Sequence, residues 1–215
     1  MQYFDITIPL NSKVLPYPGD PEFISQTETT QTQNSDTIIV TSINGSLHNG
    51  THIDAPAHFI PSAATIDQLP LNIFMGPAQV IVIDMTSRTD MAIHLNDLPP
   101  LTQPRILFAT TSFDYYAAEF NPNFAYLNME VVDYLIAQHV LLVGIDTPSI
   151  DCYAKQTYSA HLQLLSHNIP IIHGLNLHNI KSGDYYLTAL PLNLTNLEAS
   201  PVRAVLAKSE KDIQS

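Results

Sequence analysis

Apolar and polar positions alternate in short blocks along this chain, and the blocks sort into strands and two helices. The β-branched runs Ile38–Ile43, Gln79–Asp84, Arg105–Thr110, Val140–Ile145 and Pro201–Leu206 predict strands. Within them, Val80-Ile81-Val82-Ile83 and Val140-Leu141-Leu142-Val143 are unbroken apolar runs, the pattern of strands covered on both faces. Residues 128–139 predict the clearest helix. Asn128 suits its N-cap, Glu130 suits the positive end of the dipole, and Val131, Leu135 and Ile136 lie at helical spacing. Residues 157–167 predict a second helix, with Leu162 and Leu165 available for burial. Sixteen prolines against seven glycines point to stiffened loops joining short elements. No repeat, low-complexity tract or charged linker divides the chain, so residues 1–215 read as one α/β domain with many strands.

Composition narrows the partners. A hydrophobic fraction of 45% over 215 residues is enough for a substantial core. The formal charge of −12, with only eight Lys plus Arg, is the wrong sign for nucleic acid or an anionic membrane. No apolar run approaches the ~20 residues that span a bilayer. The N-terminus lacks a basic region followed by an apolar core, so no signal peptide is expected. One cysteine, Cys152, cannot form an internal disulfide, which fits a reducing compartment and a cytoplasmic protein. Cys152 itself reads as a buried small apolar residue rather than a nucleophile.

The chemistry concentrates in His48-Asn-Gly-Thr-His52-Ile-Asp54-Ala-Pro-Ala-His58. Two imidazoles and a carboxylate, His48, His52 and Asp54, form a ligand set that suits a transition metal. Their even separations put them on one face of an extended segment, and His58 continues that parity. Gly50 and Pro56 argue for a strand bending into a loop. A helix would turn Asp54 away from His48 and His52.

This run resembles the His-x-Gly-Thr-His-x-Asp-x-Pro-x-His signature of the metal-dependent cyclase family, which includes bacterial kynurenine formamidases and isatin hydrolases. Every defined position is filled. Tyr17-Pro-Gly-Asp20 resembles the family's aromatic-Pro-Gly-Asp element, and Gly144-Ile-Asp-Thr-Pro-Ser149 its mid-chain motif. Leu190-Pro-Leu192 and Ser200-Pro-Val-Arg203 resemble its closing segments, so the similarity runs from about residue 5 to residue 206. The family pattern His-His-x-Leu-Leu is met in part: His161 matches the first His, while Leu162 replaces the second. Where the family carries a Glu twelve residues after that first His, this chain has His173.

The resemblance implies a swivelling β/β/α-type fold, with a mixed sheet and flanking helices, and a homo-oligomer of two or four subunits. It also implies a metal-dependent amidohydrolase, closest in pattern to kynurenine formamidase, acting on a small aromatic amide. His48, His52, Asp54, His161 and His173 are the candidate metal ligands, His173 being a ligand or a donor just outside the ligand set. Zinc and manganese both suit His and Asp. With one carboxylate left, one tight cation is expected, or a second held weakly. His58 is the candidate general base and acid, with a ligand role as its alternative. Tyr17 offers an aromatic face to substrate, or else anchors a loop. Asp20 orients a donor or substrate amine, or holds the Gly19 turn, while Asp146 and Ser149 shape the site loop. Two alternatives stand beside this reading: another small cyclic amide, lactone or ester as substrate, and a catalytically weak ligand-binding protein. Retention of His58 argues against the second, since a binding module needs no proton shuttle. No Gly-x-Ser-x-Gly elbow and no phosphate-binding glycine loop is present.

Overall fold

The computed structural model describes residues 1–209. Its strands are β1 (Gln2–Asp5), β2 (Ile24–Gln31), β3 (Thr37–Asn44), β4 (His52–Asp54), β5 (Met75–Val82), β6 (Ala92–Ile93), β7 (Arg105–Ala109), β8 (Tyr126–Leu127), β9 (Leu142–Ile145), β10 (Ile171–His173), β11 (Gly183–Thr188), β12 (Ala199–Pro201) and β13 (Val205–Lys208). Helices α1 (Met129–Ala137) and α2 (Ser159–Ser166) complete the regular structure, with several single 3₁₀ turns. Nine strands form one mixed sheet in the order β1-β13-β11-β5-β7-β9-β10-β4-β12. Its centre, β5-β7-β9-β10, is parallel, and antiparallel strands flank both sides. Parallel neighbours need crossover connections; α1 lies in the one from β7 to β9 and α2 in the one from β9 to β10, while β5 reaches β7 through β6 and a 3₁₀ turn.

Both faces of the central strands are covered, which accounts for their near-continuous apolar sequence. Ile106, Phe108, Val143 and Ile145 pack against Val131, Leu135, Leu164 and Leu165 of the helices. Leu107, Val80 and Ile172 face a second core with Ile53, Leu187 and Leu206. The apolar runs are not covered throughout: Val82, at the end of β5, and Leu141, just before β9, are partly exposed. Predicted helix 128–139 ends at Ala137, and His139 takes a left-handed conformation (φ 54°) in the following turn. In α2 the buried face is Ala160, His161, Leu164 and Leu165, while Leu162 points to solvent. The expectation that Leu162 would be buried is therefore wrong, because His161 and Leu165 define the inward stripe.

Two further departures come from tertiary structure. The expected strand 201–206 is split between β12, which pairs with β4, and β13, which pairs with β11. These strands lie far apart in the order, so the sheet curls until the chain crosses between them within Val202–Ala204. The run Ile38–Ile43 does form a strand, β3, but only as half of a two-stranded ribbon with β2 whose sixteen residues are all exposed.

Candidate active site and metal centre

The site forms at one end of the sheet, beyond the carboxyl ends of the parallel strands β9 and β10, where open α/β sheets place ligands. Strand β4 contributes His52 and Asp54 as alternate residues on one face. Strand β10 runs antiparallel beside it, with His173 opposite His52 and Ile171 opposite Asp54. His161 arrives from α2. His48 and His58 reach the cluster from turns on either side of β4, so the bends expected at Gly50 and Pro56 are present, while the single extended face holds for His52 and Asp54 alone. Gly50 (φ +65°) turns the chain before β4, and Pro56 opens the 3₁₀ turn that ends at His58. Thr51 ties the first turn to β10 by donating its hydroxyl to the Gly174 carbonyl at 2.5 Å.

One cavity of about 410 Å³ gathers His48, His52, Asp54, His58, His161 and His173, with Tyr17 and Asp20 also on its wall. All eight candidate residues therefore share it. Asp54 is the hub. Its Oδ1 lies 2.9 Å from His48 Nδ1 and 3.4 Å from His52 Nε2. Its Oδ2 lies 3.3 Å from His173 Nε2, 3.6 Å from His161 Nε2 and 4.0 Å from His58 Nε2. Two rings are oriented by their other nitrogen. His52 Nδ1 donates to the Gly50 carbonyl at 3.0 Å, and His161 Nδ1 to Asp151 Oδ2 at 2.6 Å. Each proton placed there leaves Nε2 with its lone pair directed at Asp54.

The titration of these groups follows from burial and from Asp54. Burial pulls the His52 ring down to about 3, against the attraction of Asp54. Burial likewise lowers His58 to about 4 and lowers His173. Burial acts the same way on His48, but the adjacent Asp54 carboxylate outweighs it and holds His48 up at about 9. His161 is raised because Asp151 and Asp54 together overcome its burial. Asp54 is itself fully buried, yet the surrounding imidazoles hold it well below the usual carboxylate range.

These donors fit a divalent cation. Asp54, His161 and His173 present donor atoms within 4.8 Å of one another, and so do His48, Asp54 and His58. Asp54 Oδ1 and His173 Nδ1 are buried without a hydrogen-bond partner. A buried acceptor left without a hydrogen-bond donor is costly in such a place, and a bound cation fills that valence.

Residues 4–152 match the Cyclase family, described as "Putative cyclase". The chain belongs to the cyclase family. A kynurenine formamidase of Bacillus cytotoxicus is 34% identical over 205 residues, covering 95% of this chain and 97% of that protein. A predicted metal-dependent hydrolase from Bacillus stearothermophilus superposes with a TM-score of 0.76 at 30% identity, covering 95% of this chain and 97% of that one. Isatin hydrolase A from Labrenzia aggregata shares the fold, with a TM-score of 0.80 at 21% identity over 97% of this chain and 94% of that one.

This cyclase-family site also uses residues that sequence reasoning passed over. Phe59, Tyr115 and Tyr158 wall the cavity beside Tyr17. Phe59 packs on His161 with ring centroids 5.0 Å apart, and Tyr17 packs on Phe120 and Tyr153, each at 5.8 Å. Asp151 is the most consequential omission: besides His161 Nδ1 it accepts the backbone N–H groups of Ala160 and His161. It follows Ser149 by two residues, and nothing in that local run marks it. Asp146 braces the loop by accepting from Thr110 N, Thr110 Oγ1 and Thr111 N, each at 2.6 Å. Ser149 lines the cavity. Cys152, expected to be buried, is only half-buried and borders a different cavity with Tyr126 and Lys155.

Proposed function

We propose that the protein is a metal-dependent amidohydrolase of the kynurenine formamidase type, releasing formate from N-formyl-L-kynurenine. The observation that carries this reading is Asp54 at the meeting point of five imidazoles, at the floor of an aromatic-walled cavity. The 34% identity to kynurenine formamidase along nearly the whole chain supports it. His48, His52, Asp54, His161 and His173 are the residues proposed to hold the cation. When bound, a divalent cation supplies Lewis acidity that eases deprotonation of water to about pH 7.

The chain's own groups do the rest. His58 is neutral at working pH, because burial depresses its pKa to about 4. Its Nε2 is the most loosely held imidazole nitrogen around Asp54, and the ring rests against Phe59 with centroids 4.5 Å apart. It takes the proton of the attacking water and returns it to the leaving aryl nitrogen. Tyr17 and Phe59 flank the aromatic part of the substrate, and Asp20, held by the Ser46 hydroxyl at 3.0 Å, faces its ammonium group. Asp151 keeps the His161 ring in register.

A second substrate class has an observation of its own. Among the described residues no Lys or Arg side chain lines the cavity. The α-carboxylate of N-formyl-L-kynurenine therefore finds no side-chain cation, whereas a neutral cyclic amide such as isatin requires none. The proposed setting is the cytoplasm, and the proposed assembly is a homo-oligomer, whose mass light scattering measures.

The test is hydrolysis of N-formyl-L-kynurenine and of isatin by metal-free protein reloaded with zinc or manganese, with chelator and His58→Ala controls. Chelator-sensitive release of formate, reduced by roughly 10²–10⁴-fold in His58→Ala with metal content unchanged, is the expected result. Turnover of isatin alone reassigns the substrate. Loss of the metal in His58→Ala makes that residue a ligand and removes it as the proton carrier.

A further inference from the structure

The fixed charges around the cavity are of one sign. Asp20 and Asp54 line it, and among the described residues no Lys or Arg does. Glu198 stands just outside, with Oε1 3.5 Å from His48 Nε2. Against its burial, the His48 ring is held up by Asp54, Asp20 and Glu198 together, so the fields of all three carboxylates reach one place. Asp54 is buried at the floor, beneath the imidazoles, whereas Asp20 and Glu198 are partly exposed. A cleft charged in this way concentrates cations and repels anions.

Asp20 is held ready for a donor. Its Oδ2 accepts from the Ser46 hydroxyl at 3.0 Å, and the Ser46 oxygen in turn accepts the His48 N–H at 3.1 Å. Its own N–H donates to the Tyr17 carbonyl at 2.9 Å, which keeps the carboxylate beside the aromatic wall. Among the described residues no other side chain donates to it, so Oδ1 is left for a ligand. A carboxylate entering the same space meets only neutral donors, the hydroxyls of Tyr17, Tyr115, Ser149 and Tyr158. Of these, the Tyr115 hydroxyl is enclosed, and Ser149 Oγ already accepts the Asp151 N–H. A neutral hydroxyl bonds a carboxylate without offsetting its repulsion from Asp20 and Glu198.

We propose that Asp20 makes this cavity select arylformamides by a side-chain ammonium group and not by a carboxylate, so that the protein also hydrolyses cationic arylformamides that carry no carboxylate. The inference rests on the amidohydrolase reading above and adds the substrate class. Its simplest member is the analogue of N-formyl-L-kynurenine whose α-carboxylate is replaced by hydrogen. The aryl ring lies between Tyr17 and Phe59, the formyl group reaches the floor, and the ammonium meets Asp20 Oδ1. The reaction is the same hydrolysis. Water adds its oxygen to the formyl carbon, the C–N bond breaks, and one water proton passes to the aryl nitrogen. The other proton leaves as the released formic acid ionises to formate.

Four substrates on one ortho-formamidophenyl ketone skeleton separate the two charges: N-formyl-L-kynurenine with both, and its analogues with the ammonium alone, the carboxylate alone, and neither. Their kcat/KM values are measured with metal-reloaded wild type, Asp20→Asn and Asp20→Glu, with metal content counted and circular dichroism reporting the fold. Calorimetry of the four deformylated products on metal-free protein reads the same preference without turnover. In wild type, removing the carboxylate is expected to leave kcat/KM within about threefold or to raise it, while removing the ammonium lowers it about tenfold or more, chiefly through KM. High salt narrows that gap. In Asp20→Asn the cost of removing the ammonium falls below about threefold, and Asp20→Glu restores it. A tenfold loss on removing the carboxylate, or no loss on removing the ammonium, overturns the inference in wild type alone, whether or not the variants fold. A folded, metal-loaded Asp20→Asn that still prefers the ammonium tenfold overturns the role of Asp20. Hydrolysis of none of the four overturns the arylformamidase reading as well.

Discussion

Replacing Asp151 by Asn exchanges one carboxylate oxygen for an amide nitrogen with almost no change of shape, and three hydrogen bonds set the consequence. Oδ1 accepts from Ala160 N at 2.9 Å, while Oδ2 accepts from His161 N at 3.1 Å and His161 Nδ1 at 2.6 Å. Whichever way the amide turns, its NH₂ group faces a backbone N–H of α2, so at least one buried donor loses its partner. That loss costs about 1–3 kcal/mol. The bond to His161 Nδ1 also loses its charge assistance, since bonds to ions are roughly twice as strong as neutral ones. Removing a negative charge that faces the N-terminus of α2 adds about 0.3–1 kcal/mol. Metal-free Asp151→Asn should therefore lose about 2–4 kcal/mol in urea unfolding. Its metal affinity, measured by competition with a chromophoric chelator, should fall about 10–100-fold, because the ring that presents His161 Nε2 is no longer held. Cys152→Ala, one residue away and outside the cavity, should change neither. A folded Asp151→Asn that binds metal within threefold of wild type refutes the argument that Asp151 orients the His161 ring.

Two further outcomes follow from the same geometry. Gly174 has φ +65°, and a Cβ added there runs into the Gly50 carbonyl oxygen. Gly174→Ala should cost more than about 2 kcal/mol in thermal or urea unfolding and lower metal content as well, since the strain falls between His173 and the turn before His52. In the metal-free protein His48 is raised from 6.5 to about 9, so near pH 7 it carries a proton that a cation must displace. Metal affinity should rise about tenfold per pH unit and level off above about 9, with proton release visible when calorimetry is repeated in buffers of different ionisation enthalpy. Stability of the metal-free form runs the other way: the raised His48 contributes fully below about 6.5, and that contribution is lost as pH climbs through about 9. A metal affinity independent of pH between 7 and 9 removes His48 from the groups that a cation displaces.

The helices and most central strands were legible because their signals are local. Helical spacing of Val131 and Leu135, and apolar runs around Val80 and Val143, reflect burial that each segment meets on its own. Position 162 misled because a Leu at helical spacing carries no information about which way the helix is rolled. Residues 201–206 misled because one β-branched run serves two strands, and its division depends on how far the sheet curls. The ribbon β2–β3 showed the period of a strand without the burial that usually accompanies it.

From the sequence by itself came the cluster within His48–His58, the one carboxylate inside that run, Asp54, and the His at position 173, since ligand chemistry and short spacings are properties of neighbouring residues. Only the tertiary structure decided that His173 lies opposite His52, that Asp151 stands behind His161, and that Tyr115 and Tyr158 close the same cavity. Those relations arise from strand register and helix docking between segments up to about a hundred and twenty residues apart. The backbone hydrogen bonds and packing that set them belong to pairs of segments, so no single segment records them.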